Sequence, residues 1–218
     1  MSDTDSFINE VNEEVQKDQF YAFVRKYWWV AAALVVLLVG GTALNEARKA
    51  GIARDAQVFG DSLDQALLLE SSDARLAALN EIPAKEGDAG AMLDLLKAAE
   101  MGASGDTAGE QSLLQAIVAD DDVSDVYKQL AKFKYALSLD ATASDDERKA
   151  AFSELTAPGA PFRLLAEEQI ALIDAGAGDL DAATARLQSI ADDSLATPAL
   201  RQRIGQWLVV LGAPEAAQ

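Results

Sequence analysis

The side chains with reactive potential in this sequence are carboxylates, and they come in runs. Asp120, Asp121, Asp122 and Asp125 form one, Asp145, Asp146 and Glu147 a second, and Asp192 with Asp193 a third. Carboxylates in pairs perform general acid–base chemistry or bind calcium through oxygen. Neither of the longer runs has the glycine-punctuated spacing of a calcium loop, and no two acids are set out as a convergent pair. Both longer runs fall at expected helix starts, where a carboxylate offsets the positive end of the helix dipole and accepts from open amides. Capping is therefore their expected role, and Asp192–Asp193 reads as loop. The chain has no histidine and no cysteine. That removes thiolate nucleophiles, every Ser-His or Cys-His arrangement, zinc sites of the usual ligand types and an axial haem histidine. The expectation is a protein that is not an enzyme and holds no metal or cofactor, with a hydrolase working through carboxylates alone as the remote alternative.

The elements that carry these residues are helical. Alanine, leucine, glutamate and aspartate dominate, and aromatics make up only 6% of residues, with glycine and proline in short clusters between periodic apolar stretches. Helices are expected near 90–103, 107–118, 125–139, 145–155, 161–176, 179–191 and 198–211, preceded by a stretch from Ser72 to Ile82 that Pro83 ends. Thr107 with Glu110 and Ser144 with Glu147 have the spacing of capping boxes. Ser124 and Thr197 read as N-caps, with Pro198 at the first helical position, where a missing amide hydrogen costs nothing. Connections are short, so neighbouring helices should be antiparallel.

Two helix pairs share a pattern. In the clearer one Ala171 lies on a helix followed by Gly178-Asp179, then Ala183, Leu187 and Ile190 at helical steps. A glycine-aspartate turn reverses the chain, and small residues at facing positions let the two helices approach closely. The spacing resembles the tetratricopeptide repeat (TPR), with Ala171, Gly178, Asp179 and Ala183 at the matching positions. The earlier pair fits through Ala98, Gly105, Asp106, Leu114 and Ile117, but Glu110 stands where the alanine should be. The alternative is a generic helical solenoid. On the last helix Ile204, Trp207, Leu208 and Leu211 form one stripe, expected to face the core or to receive a partner helix.

Ahead of these helices, residues 27–44 read YWWVAAALVVLLVGGTAL without a charge. As a helix this run rises roughly 27 Å, close to the thickness of a bilayer core. Tyr27, Trp28 and Trp29 sit beside Arg25 and Lys26 at one end, as amphipathic rings and snorkelling cations do at a headgroup boundary. The run has no small-x-small cleavage pattern and follows an acidic region, so an uncleaved transmembrane helix is expected. Residues 1–26 form an acidic tail in which Phe7, Ile8, Val11 and Val15 have amphipathic spacing over about 5–20. Apolar periodicity continues through Ile52, Phe59, Leu63 and Leu67, so the membrane helix should run on into a helical domain covering 45–218. The basic residues flanking the run tie in number, and Arg25 and Lys26, which abut it, favour a cytoplasmic N-terminus.

The chain carries 36 acids against 18 bases. Thirty acids and fifteen bases lie after residue 44, so that domain would repel nucleic acid and an anionic bilayer surface alike. The expected partners are therefore proteins, with the membrane reached through one span. The sequence fixes no oligomeric state. The fold class that follows is all-α: an N-terminal transmembrane helix, then a TPR-like array of antiparallel helical hairpins.

With those pieces in order, the chain resembles the alphaproteobacterial members of the ancillary SecYEG translocon subunit family. The opening MSDTDSFINEVNEEV, the RKYWW entry to the apolar run, GDLDAATARLQSIADD at the second turn and the closing TPALRQRIGQWLVVLG carry the likeness. It implies an inner-membrane anchor with a cytoplasmic N-terminus and a periplasmic domain. It also implies work beside the Sec translocon with periplasmic chaperones, assisting secreted or envelope proteins. The alternative function is a structural envelope or cell-division scaffold that associates with itself or with a wall-associated protein.

Overall fold

The computed structural model describes residues 3–139 and 143–212, and every regular element among them is a helix. In chain order these are α1 (Asp3–Leu67), α2 (Ser72–Glu81), α3 (Gly87–Ser104), α4 (Thr107–Ala119), α5 (Asp125–Ser138), α6 (Asp145–Ser153), α7 (Arg163–Gly176), α8 (Leu180–Asp192) and α9 (Pro198–Val210). The seven helices expected between residues 90 and 211 are all present, with ends displaced by three residues at most, the usual latitude for fraying termini. Contacts divide the chain into two compact units, Met1–Gly60 and Asp61–Gln218.

In the first unit α1 is continuous through the apolar run, because residues 27–44 contain no proline and their two glycines cost a helix only about 1 kcal/mol each. Among the described residues this is the one helix long and apolar enough to cross a membrane, and none of its apolar window is buried. Within that window the Thr42 hydroxyl donates to the Val39 carbonyl at 2.9 Å, so its polar group needs no outside partner. The side chains of Phe7, Ile8, Val11, Val15 and Tyr27, named above for an amphipathic tail and a membrane boundary, lie outside the described residues.

In the second unit consecutive helices pack on one another from α2 to α9. Among the described residues, apolar clusters join α3 to α9, and Leu79 of α2 is buried as well. The first joins α3, α4 and α5 through Ala91, Leu95, Ala98, Leu114, Ile117 and Ala131, with Val123 of the α4–α5 connection. The second joins α5, α6 and α7 through Ala136, Phe152, Ala166, Ile170 and Ile173, and Phe133 stacks on Phe162 and meets Phe152 edge-on. The third joins α7, α8 and α9 through Ala171, Leu187, Ile190, Leu200 and Ile204. Helices α5 and α7 each serve two clusters, so their burial extends around most of their surface.

The caps follow the sequence with one correction. Ser144 and Glu147 form the expected capping box, the Glu147 amide donating to Ser144 Oγ at 3.3 Å and the Ser144 amide to Glu147 Oε2 at 2.8 Å. Thr197 Oγ1 accepts from the Leu200 amide at 3.2 Å, with Pro198 opening α9. Ser124 precedes α5 without a side-chain cap bond; its amide donates instead to Asp88 Oδ1 at 2.8 Å. Thr107 and Glu110 make no capping box. Asp106 takes the N-cap, accepting from the Gly109 amide at 2.9 Å, and Thr107 becomes the first residue of α4. A carboxylate one residue earlier in the turn reaches the open amides first, which leaves Glu110 free to turn toward α3.

Candidate functional site

Gly105 and Gly178 lie 73 residues apart, and the turns around them have the same geometry. Their φ values are 89° and 88°, the left-handed region in which a Cβ is strained. Asp106 and Asp179 follow at φ/ψ of −82°/68° and −82°/71°. In each turn the glycine amide donates three residues back at 3.1 Å and the aspartate amide five residues back at 2.9 Å. Each aspartate then accepts, through Oδ1, from the amide three residues on.

A second corner repeats at the same offset. Asp120 Oδ1 accepts from the Asp122 amide at 2.9 Å, and Asp193 Oδ1 from the Leu195 amide at 2.8 Å. Burial keeps step: Ala98 with Ala171, Leu114 with Leu187, Ile117 with Ile190, Val123 with Ala196, and Ala131 with Ile204 are all buried. The turns, corners and buried positions of α3–α4–α5 thus recur in α7–α8–α9. Glu110 departs from this register opposite Ala183, and Gly102 explains how it fits. A Cβ on Gly102 would meet the Glu110 carboxylate, and at the same offset the second copy has Ala175 and Ala183. Burial in that niche raises the Glu110 pKa, an effect that Lys134 partly offsets.

The two copies differ in what ties them together. Leu95 and Leu130 pack in the first cluster, and at their register stand Glu168 and Arg203. Glu168 is only 3% exposed, and Arg203 grips it with two bonds, Nε to Oε1 at 2.7 Å and Nη2 to Oε2 at 2.6 Å. This fork-on-fork geometry is the strongest form of such a pair, and it holds the guanidinium pKa above its ordinary value. Asp174, at the register of Met101, is buried against Lys149 of α6 at 2.5 Å, and its bond raises the lysine pKa. Arg186 of α8, at the register of Leu113, pairs with Glu167 and approaches Asp174 at 3.8 Å. Arg163 binds Asp193 at 2.6 Å and holds that carboxyl below its ordinary range. Helix α7 is therefore ionically tied to α6, α8 and α9.

The sequence did not single out Glu168, Asp174, Arg186 or Arg203. Overlaying the chain on itself at 73 residues would have exposed them, as charges standing where leucines and a methionine stand in the other copy.

The residues picked out by pattern are placed as follows. Trp28 and Trp29 are 64% and 61% exposed, and Arg25 and Lys26 are exposed beside them on α1. Ala98, Ala171 and Ala183 are fully buried between paired helices, while Gly105, Asp106, Gly178 and Asp179 form the two exposed turns. Ile204 is buried, and Trp207, Leu208 and Leu211 pack half-buried on the third cluster, so that stripe serves the core. The acid runs cap and brace: Glu147 and Asp120 as described, Asp145 in a 3.0 Å pair with Arg148, and Asp193 in the Arg163 bridge and its own corner. Asp192 closes α8, one residue inside the expected loop.

Among the described residues, grooves open on this unit. One of about 380 Å³ lies between α7 and α8 and contains Arg163, Glu167, Arg186 and Ser189. Another of about 460 Å³ lies beside Asp145, Arg148, Phe152 and Gln169. The third, about 350 Å³, is lined mainly by apolar groups, including Pro161, Leu164, Leu195 and Leu200. No family model, curated protein or solved structure matches this chain.

Proposed function

We propose that this chain is a membrane-anchored, non-catalytic scaffold whose helical hairpins form a TPR-like array that holds other proteins near a membrane machine. The observation that carries this reading is the apolar window of α1, none of which is buried among the described residues. Eighteen uncharged residues left bare in water would cost far more than they return, whereas a lipid environment satisfies them. Trp28 and Trp29 beside Arg25 and Lys26 mark the headgroup end.

The repeated turn, corner and burial pattern supports the array. Stacked hairpins of this kind present extended surfaces built from many shallow contacts. Anchoring raises the effective concentration of whatever works at the same membrane, so weak contacts become populated. The sequence resemblance supplies the machine: a Sec translocon, with the domain on the periplasmic side among chaperones and newly exported chains.

The test is fractionation of cells carrying the full chain. The protein should stay in the membrane pellet through alkaline carbonate, protease added to spheroplasts should reach the α2–α9 unit, and translocon subunits should co-purify after gentle solubilisation. Release by carbonate refutes the anchor, protection from protease refutes the periplasmic placement, and absence of translocon subunits refutes the assignment of the machine.

A further inference from the structure

One corner of the fold is closed by a carboxylate in the first copy and left open in the second. At the start of α5 the Ser124 amide donates to Asp88 Oδ1 at 2.8 Å, so the first turn of α3 supplies an acceptor there. Thr197 repeats Ser124 at the start of α9, with φ/ψ of −70°/156° against −67°/151°. At the register of Asp88, however, stands Pro161, which brings no carboxylate. The Thr197 amide meets no acceptor among the described residues. In place of the closed corner is the groove of about 350 Å³, lined by Pro161, Leu164, Leu195, Thr197 and Leu200 among others.

Two further differences indicate what the open corner takes. First, in a chain of 36 acids and 18 bases, the charged residues lining this groove are both arginines. Arg163 stands at the register of Gly90 and Arg203 at that of Leu130. Arg163 holds Asp193 through Nη2, and Arg203 holds Glu168 through Nε and Nη2. A guanidinium carries further N–H donors, and the Nη1 groups of both arginines meet no acceptor among the described residues. Their side chains are 23% and 49% exposed, so neither is sealed from solvent. Second, Leu195 at the lip is 69% exposed, where the first copy has Asp122. The exchange puts apolar surface at the lip and removes a charge that would repel an anion.

We propose that this groove binds a peptide segment in which an aspartate or glutamate side chain stands beside apolar residues. The carboxylate takes the place that Asp88 holds in the first copy, accepting from the Thr197 amide and from the spare donors of Arg163 and Arg203, while its apolar neighbours cover Leu164, Leu195 and Leu200. The occupant is a side-chain carboxylate of a polypeptide because that is what the equivalent corner already holds. Bonds to an ionised acceptor are stronger than neutral ones, and arginines are a recurrent means of recognising acidic segments, so the carboxylate is the selecting group. Such a groove rests on the proposed reading of the array as a protein-binding surface and gives it a ligand class. Neither the anchor nor the translocon assignment depends on it, so carbonate extraction and co-purification can succeed where peptide binding fails.

Fluorescence anisotropy of the full chain in zwitterionic nanodiscs tests the groove, with empty nanodiscs as the blank and short labelled peptides blocked at both ends as probes. A peptide with one aspartate between leucines should bind more tightly than its asparagine counterpart by about tenfold or more. Leu195→Asp restores the acid that the first copy carries, at a position exposed enough to leave the fold intact, and should weaken the aspartyl peptide by a similar factor. Leu68→Asp, the same change of charge at a leucine 83% exposed and outside the groove, should leave binding unchanged. Equal affinity for the two peptides or no measurable binding of the aspartyl one would overturn the assignment. So would tighter binding of an asparagine peptide with a free C-terminal carboxylate, or equal losses from Leu68→Asp and Leu195→Asp.

Discussion

Replacing the Glu168–Arg203 pair by leucines tests whether α7–α8–α9 is a second copy of α3–α4–α5. Removing Arg203 alone leaves a carboxylate that is 3% exposed without its two bonds. Stripping one partner from a fully buried pair costs roughly 3–5 kcal/mol. The Arg203 side chain is itself 49% exposed, so water screens part of the loss, and about 1–3 kcal/mol is the appropriate range. For a unit of this size that lowers the melting temperature by roughly 2–12 °C. Glu168→Leu with Arg203→Leu should behave differently, because Leu95 and Leu130 already pack at those positions in the other copy. The double variant should melt within a few degrees of the parent or above it, since apolar replacement of a buried pair is often neutral or favourable. Thermal unfolding of the full chain in detergent, followed by far-ultraviolet circular dichroism, reads both. A double variant no more stable than Arg203→Leu alone would mean that the two sites are not equivalent environments.

Further predictions concern the turns and caps. Gly102→Ala gains about 1 kcal/mol of helix propensity but displaces the far end of the Glu110 side chain, so its net effect should be small, and combining it with Glu110→Ala should stabilise more than the sum of the two changes; simple additivity would refute the coupling. Ser144→Ala removes the hydroxyl half of the α6 box and should cost about 1 kcal/mol in denaturant titration. Glu147, Glu100 and Asp193 are held below their ordinary pKa values by the Ser144 amide, Arg75 and Arg163 respectively. Their contributions are present above the unfolded values of 4.5, 4.5 and 3.8 and are lost as pH falls through the lower folded ones, so the denaturation midpoint should drop on acidification below about pH 4. Glu110 runs the other way: burial raises its pKa, so its contribution is present below 4.5 and is lost as pH rises through the folded value. Glu110→Gln should therefore help more at pH 7 than at pH 4.

What was legible in the sequence was whatever local chemistry decides. A glycine followed by aspartate announces a left-handed C-cap and a new N-cap, and both such turns stand where the pattern put them. The run of 27–44 announces a helix with no polar face, because nothing in it interrupts or punctuates the apolar series. The Thr107–Glu110 box failed because the same four-residue logic applied equally to Asp106, and an anionic acceptor prevailed over a neutral hydroxyl. The ionic ties on α7 were not legible by periodicity at all. Glu168 and Asp174 interrupt the apolar stripe of their helix, and only the positions of Arg203, Lys149 and Arg186, supplied by other helices, account for their burial.

That difference between copies has a consequence for how the chain finds its fold. Two segments with the same turn, corner and burial pattern offer each other wrong partners, since α3 and α7 share buried alanines at Ala98 and Ala171. Glu168 disfavours one exchange: α7 placed in the bed of α3 would set its carboxylate against Leu130 in place of Arg203, losing both bonds of the pair. Arg203 and Glu168 thus specify register more than they add stability, as buried polar groups do in some coiled coils. The leucine double variant should accordingly be as stable as the parent but less uniquely paired. Hydrogen exchange of the full chain should show its α7–α9 amides opening at lower free energy than the parent's, while α3–α5 amides are unchanged. Equal or slower exchange throughout α7–α9 would show that the ion pair adds nothing to specificity.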